Sequence, residues 1–321
     1  MRIHVLALDD VFDLGLSAIL DVFDTANQLI QLSNLDVPRF EIRTVGVRRA
    51  VRTSHGLRVP LQSVGGRKPD CVVVPAIGFK MPDALEAALR RPDVGDATNA
   101  LRAWARPGTI MAAACIGTFV MAESRLLDHQ RSTTTWWLAP LFRARYPQVL
   151  LEESHMIVKS GRCLTAGAAL SHVDLALWLV RSVSPQLAEL TARYLIIDAR
   201  ASQSAYALTD HLVHSDPMVQ RFEGWARSRL AQGFSLDAAA RAVGASKRTL
   251  ARRIAAVLGK TPLSYVQGLR VERAAHLLRT SDASVDQVAA RVGYQDGATL
   301  RALLRRQLHT GVKELRKGTG S

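Results

Sequence analysis

Acidic residues are scarce in this chain. Among 321 residues, Asp and Glu number 28 against 42 Lys and Arg, a formal net charge of +14. The shortage is local. From Gln220 to Ser321 there are 7 acidic against 19 basic side chains, whereas the first 219 residues hold 21 against 23. A nearly neutral region followed by a basic one fits a sensing domain joined to a nucleic-acid binder. Cysteine is also scarce. Cys71, Cys115 and Cys163 have neither the spacing of a metal site nor that of a disulfide framework, so no metal and no cofactor is expected. No run approaches about 18 apolar residues and no leader pattern opens the chain, so no membrane segment is expected and the cytoplasm is the expected location. Disorder is excluded by a hydrophobic content of 48%, and 321 residues suffice for two domains.

A short motif occurs twice in the basic region. Ser235-Leu-Asp-Ala-Ala-Ala-Arg-Ala-Val-Gly244 aligns without gaps with Ser284-Val-Asp-Gln-Val-Ala-Ala-Arg-Val-Gly293. After one added residue, Thr249-Leu250 lines up with Thr299-Leu300. Each copy predicts helix, tight turn, helix. Ser235 and Ser284 cap the first helices, Ser284 with Gln287 forming a capping box. Gly244 and Gly293 stop them, since glycine takes a positive φ without strain. Ser246 and Asp296 cap the second helices. Leu250, Ile254, Val257 and Leu258 fall on one face, as do Leu300, Leu304 and Leu308. The opposite faces carry Lys247, Arg248, Arg252 and Arg253 in one copy and Arg301, Arg305 and Arg306 in the other. A major groove admits one helix, and Arg bridges guanine O6 and N7 with two parallel bonds.

Between the copies, Thr261 caps and Pro262 opens a helix running to Arg279, with Tyr265, Leu269, Ala274, Leu277 and Leu278 as its apolar stripe. Nineteen helical residues span roughly 28 Å. One DNA turn is about 34 Å, so such a strut sets two reading helices in successive major grooves.

Residues 235–316 resemble the DNA-binding domain of the AraC/XylS family, through Ser246-Lys-Arg-Thr-Leu-Ala-Arg-Arg253, Leu269-Arg-Val-Glu-Arg-Ala274 and Val288-Ala-Ala-Arg-Val-Gly-Tyr294. The resemblance implies base-facing positions at Arg248, Ala251 and Arg252, and at Gly297, Ala298, Thr299, Arg301 and Ala302. Ser246, Lys247 and Arg253 complete the expected DNA face, and Arg305 and Arg306 are expected on phosphates. Where the family pattern has Gly and Pro near the end, this chain has His309 and Val312. Leu300 and Leu304 replace its aromatics. Gly297, Ala298 and Ala302 offer no side-chain hydrogen bonds, so the first copy is expected to read more sequence.

The neutral region alternates strands and helices. Arg2–Leu8, Phe40–Val47, Cys71–Pro75 and Thr109–Cys115 predict buried strands. Leu16–Ile30, Met81–Trp104 in two pieces broken near Pro92, and Ile116–Leu127 predict helices. Continuous apolar strands argue a doubly wound, mostly parallel α/β sheet. Cys115 sits between a strand and a helix, with Gly117 two places on, the pattern of a nucleophile elbow. A helix N-terminus can lower a thiol pKa; the competing reading, and the more common one for a lone Cys, is a buried structural cysteine.

Residues 1–185 resemble the PfpI/ThiJ superfamily, related to class I glutamine amidotransferases and flavodoxin-like in fold. Asp21-Val-Phe23, Val73-Val-Pro75, Cys115-Ile-Gly-Thr118, Arg131-Ser-Thr-Thr-Thr-Trp136 and Thr165-Ala-Gly167 carry the likeness. Active members pair the elbow Cys with an early Glu and often a His. Those positions here are Gly15 and Thr135, which implies a sensor and not an enzyme. His172 and His155 remain candidates to approach Cys115.

The whole resembles a GlxA-type AraC-family regulator. The expected organisation is a sensing domain at 1–185, a linker at 186–215, and at 216–321 an all-α domain of two helix-turn-helix units joined by a long helix. Open α/β sheets bind ligands at strand ends, so an effector pocket is expected at Asp10, Ala76, Ile77, Cys115, Ile116, Thr135, Trp136 and His172. The expected partners are double-stranded DNA, a small amino acid, amide or amine effector, RNA polymerase and a second copy of the chain. Activation is the expected sign of control. The alternative is a cysteine-dependent amidase or hydratase fused to a DNA anchor.

Overall fold

A computed structural model describes residues 1–63, 68–198, 203, 212–308 and 311–317. The chain divides into two compact units, Met1–Gln203 and Ser204–Ser321. Within the stretch read as linker, residues 199–202 and 204–211 lie outside the described residues, as does His309.

Unit 1 opens with β1 (Arg2–Leu6), α1 (Asp13–Leu32) and β2 (Glu41–Gly46), then a hairpin of β3 (Ala50–Arg52) and β4 (Arg58–Pro60). Next come β5 (Gln62–Ser63), β6 (Cys71–Val74), α2 (Pro82–Leu89), α3 (Pro92–Trp104), β7 (Ile110–Ala114) and α4 (Gly117–Glu123). After β8 (Arg131–Ser132), α5 (Ala139–Arg145) and β9 (Leu150–Leu151), the unit closes with β10 (Ile157–Ser160), β11 (Cys163–Ala166), α6 (Ser171–Val183) and α7 (Pro185–Tyr194).

Seven strands form one sheet in the order β10-β11-β7-β6-β1-β2-β5, all parallel except β10 against β11. Side chains alternate across it. Ile3, Val5, Val73, Ala112, Ala114 and Leu164 join the core under α1, α6 and α7. Their neighbours Leu6, Val72, Val74, Met111 and Ala113 are buried on the other face. Burial on both faces is why these strands read as unbroken apolar runs.

Two expectations are corrected. The helix expected through Leu127 stops at Glu123, because the Ser124 hydroxyl donates to the Met121 carbonyl and Arg125 takes a φ of 61°. The packed unit also runs past 185: Leu187 and Ala188 of α7 enter the same core as α1 and α6.

Unit 2 is helical: α8 (Pro217–Ser228), α9 (Leu236–Val243), α10 (Lys247–Leu258), α11 (Pro262–Thr280), α12 (Val285–Arg291), α13 (Gly297–Leu308) and α14 (Val312–Lys317). The expected caps form at Ser235, Ser246, Thr261 and Ser284, the last as a capping box. Gly244 closes α9 at φ 72°. Two cores share the long α11. Its first half, through Leu269, packs with α8, α9 and α10, and from Val271 onward it packs with α12, α13 and α14.

Candidate nucleic-acid interface and effector site

Arg270 stands where α11 passes from one core to the other, and it is only 6% exposed. Its guanidinium donates to the Leu230 carbonyl at 2.9 Å and to the Gln232 carbonyl, and it lies 5.3 Å from the centre of the Tyr294 ring. One buried cation thereby ties the strut to elements of both helix-turn-helix units. The sequence shows Arg270 only as another basic residue of a basic helix.

At the start of α10 the Ser246 hydroxyl accepts the Thr249 N–H at 3.1 Å, while Leu250, Ile254 and Leu258 turn inward. Ser246, Lys247, Arg248, Arg252 and Arg253 are exposed and Ala251 is half-buried. Lys247 pairs with Asp237 at 3.0 Å. Arg253 pairs with Asp216, whose carboxylate also caps α8 through the Met218 and Val219 N–H groups at 2.9 Å. Arg253 thus serves the fold as well as the basic face. Arg248 and Arg252 have no ion-pair partner among the described residues.

In the second copy Asp296 caps α13 by accepting the Thr299 N–H at 2.7 Å. Ala298, Thr299, Arg301, Ala302, Arg305 and Arg306 are exposed. Gly297 departs from expectation: it is buried, and its N–H donates to Asp286 at 2.9 Å. A Cβ there would stand 2.6 Å from that carboxylate oxygen, so Gly297 holds α13 to α12 instead of facing a base.

In unit 1, Cys115 takes a φ of 55° and Gly117 follows so tightly that a Cβ would lie 2.3 Å from the Val74 carbonyl oxygen. The elbow is therefore built, and it is closed. The Cys115 N–H donates to the Ala166 carbonyl at 2.9 Å, and the Thr134 hydroxyl donates to the Cys115 carbonyl at 2.8 Å. Burial pushes the thiol up to about 12, against the pull of the Ile116 N–H, the Thr135 hydroxyl and the Lys80 charge. A helix start does not bring this thiol down, because burial outweighs the pull of the Ile116 N–H.

His172 is fully buried. Its Nε2 accepts the Ala76 N–H at 3.1 Å, and its Nδ1 faces the Ala169 carbonyl at 2.6 Å. A backbone N–H only donates and a carbonyl only accepts, so the ring is neutral with its proton on Nδ1. Burial lowers its pKa to about 4. Neither ring nitrogen is left to take a proton from Cys115. The ring also fills the space above Gly15, where a Cβ would lie 2.6 Å from Nε2. His155 is exposed and turns to Glu152 at 3.6 Å.

Of the eight expected pocket residues, Ala76, Ile77, Cys115, Ile116, Thr135 and His172 are buried, and Trp136 is half-buried. Asp10 instead faces an open groove and pairs with Arg91 at 2.7 Å. One neighbour escaped sequence reading. The Gln203 amide donates to the Thr134 and Glu153 carbonyls at 2.9 and 2.7 Å, packing against Gly167. It anchors the end of unit 1 beside the Thr133–Thr135 segment that backs Cys115.

Residues 239–318 match a family model described as a helix-turn-helix domain. The HTH-type transcriptional regulator CdhR of Pseudomonas aeruginosa is 30% identical over 200 residues, 61% of this chain and 59% of that protein. The HTH-type transcriptional activator RhaS of an Enterobacter species is 32% identical over 130 residues, 40% of this chain and 45% of that protein. The chain thus spans about half the length of the curated relatives it matches. The crystal structure of an AraC family transcriptional regulator from Pseudomonas putida shares the fold at 20% identity and a TM-score of 0.50, covering 60% of this chain and 98% of that one. A solved protein from Vibrio parahaemolyticus does so at 18% identity and a TM-score of 0.51, covering 61% and 98%. No helix among the described residues is long and apolar enough to cross a membrane. The C-terminal unit is a helix-turn-helix domain, joined to an α/β unit that shares the fold of these solved proteins.

Proposed function

We propose that this chain is a ligand-responsive, sequence-specific DNA-binding transcription regulator whose α10 and α13 enter successive major grooves. The observation that carries the reading is the start of α10, where Arg248 and Arg252 stand exposed and unpaired on a helix pinned by its cap and three buried residues. Such a helix fits the major groove and presents its guanidiniums for bidentate reading of guanine. The names of CdhR and RhaS support regulation, and that of RhaS supports activation. Footprinting of the full chain on the DNA upstream of its own gene tests it. Protection is expected, and the Arg248→Ala/Arg252→Ala variant should keep only weak, sequence-independent binding. Equal protection by both proteins would remove the reading.

In the same reading unit 1 senses a small amino acid, amide or amine beside Ala76, Ile77, Cys115, Ile116, Thr135, Trp136 and His172, and pairs two copies of the chain for contact with RNA polymerase. A protonated thiol and a histidine with both nitrogens engaged support sensing without catalysis. The backbone turn at Cys115 favours the second reading, an amidase or hydratase. Cys115→Ser separates them: the transcriptional response to an inducer should persist within a few fold. Cysteine-dependent turnover of that inducer would establish the enzyme.

A further inference from the structure

The hairpin of β3 and β4 sets two arginines face to face. Arg52 and Arg58 are direct partners in its antiparallel register. Side chains alternate along strands, so both lie on the face opposite Val51, which is buried. Like charges opposed across a strand pair destabilise it. Both side chains are exposed, and neither guanidinium has an ion-pair or hydrogen-bond partner among the described residues.

These two arginines line an open groove of about 670 Å³, with Arg48 and Arg91 also in its wall. The groove holds three carboxylates, and each is already engaged. Asp10 pairs with Arg91 at 2.7 Å, and Asp93 accepts two further bonds from that guanidinium at 3.0 Å each. Asp9 pairs with Arg48 at 2.7 Å, and its other oxygen accepts the Arg52 backbone N–H at 3.1 Å. The acids therefore fix the walls and the end of β3. Four arginines against three aspartates leave the surplus charge on the Arg52 and Arg58 side.

We propose that this groove binds a small dianionic oxyanion, a phosphate monoester or a short dicarboxylate, between the guanidiniums of Arg52 and Arg58. Planar forks match such oxygens two at a time, and a bound dianion turns their repulsion into shared attraction. The site is separate from the elbow at Cys115. Binding of a dianion there is independent of any regulatory role of the chain.

Calorimetric titration of the full chain at fixed ionic strength tests it, using inorganic phosphate and succinate as dianions and acetate as the monoanion. At least one dianion should bind saturably and about tenfold or more tighter than acetate. Arg52→Gln and Arg58→Gln should each weaken it about tenfold, and Arg193→Gln on α7 should not. Without ligand, Arg58→Gln should melt no lower than wild type, since it relieves repulsion. The dianion should raise the melting midpoint of wild type but not of the double variant. Dianions binding no better than acetate, or binding that survives in the double variant, would overturn the proposal. So would a loss of DNA affinity in the double variant with dianion binding intact, which would assign the pair to the nucleic-acid backbone.

Discussion

The turn into α4 at Cys115 and the turn into α10 at Ser246 are opposites. At Cys115 the polar groups are answered from within: the N–H by Ala166, the carbonyl by Thr134, and the nearby His172 ring by Ala76 and Ala169. At Ser246 the cap answers only the N–H and hydroxyl of Thr249, and Arg248 and Arg252 stand outside. A buried polar group commits its hydrogen bonds to the fold, because leaving them unmade costs about 1–3 kcal/mol each. An exposed cation is free for a partner. Substitutions should therefore cost stability in interior networks and affinity on the open helix.

The largest effect is expected at Arg270, the interior cation of unit 2. Arg270→Ala deletes two hydrogen bonds from a charged donor and strands the Leu230 and Gln232 carbonyls, a loss of about 3 kcal/mol or more in urea denaturation. A loss below about 1 kcal/mol would show that solvent already serves those carbonyls.

Next is the pH response of unit 1. His172 has a pKa near 4 folded and an ordinary value of 6.5, so the unfolded chain takes up the proton first. The stability held by the neutral ring is complete above about pH 6.5 and drains away as pH falls toward 4, up to about 3 kcal/mol. His4, lowered by burial and by Arg43 and Arg2, acts in the same direction. His172→Gln should flatten the slope of unfolding free energy against pH over this window; an unchanged slope would mean that another group carries it.

On the open helix, Arg248→Ala or Arg252→Ala should cost about 1–3 kcal/mol of discrimination at one base pair while leaving stability within about 0.5 kcal/mol. Arg305→Ala and Arg306→Ala should weaken binding to all sequences alike and flatten its salt dependence. A base-specific loss at Arg305 would break this division.

The smallest effect sets the two copies against each other. Asp237 and Asp286 occupy the same position of the repeat, and each ties its first helix to the start of the second. Asp286 does so through the Gly297 backbone, Asp237 through the exposed Lys247 side chain. Asp286→Ala should cost about 1–2 kcal/mol in thermal denaturation and Asp237→Ala less than about 1 kcal/mol. Equal losses would deny the difference between a backbone staple and a surface ion pair.

That pairing also shows where sequence reading stops. The alignment places Gly297 opposite Lys247 and assigns both to the DNA face. The residue types are visible in the chain, but the closeness of Asp286 to the Gly297 backbone is not. The same holds for His172 and Gly15. Each is visible alone, and only the packing of α6 over α1 puts the imidazole where a side chain at Gly15 would stand.

The sequence by itself determined the parts governed by neighbours along the chain. Caps at Ser235, Ser246, Thr261 and Ser284, the left-handed stop at Gly244, the apolar stripes and the 19-residue strut all follow from interactions within a turn or two of helix. The buried strands follow from period and composition in the same way. Tertiary structure decided which polar groups are consumed. Arg270 reads like Arg248 in sequence, yet one is sealed between two cores and the other is bare. Arg52 meets Arg58 only through hairpin register, and Gln203 reaches the Thr134 carbonyl only once unit 1 has closed around it. Burial and long-range register are properties of the assembled chain, and they set both the protonation of Cys115 and His172 and the availability of each arginine.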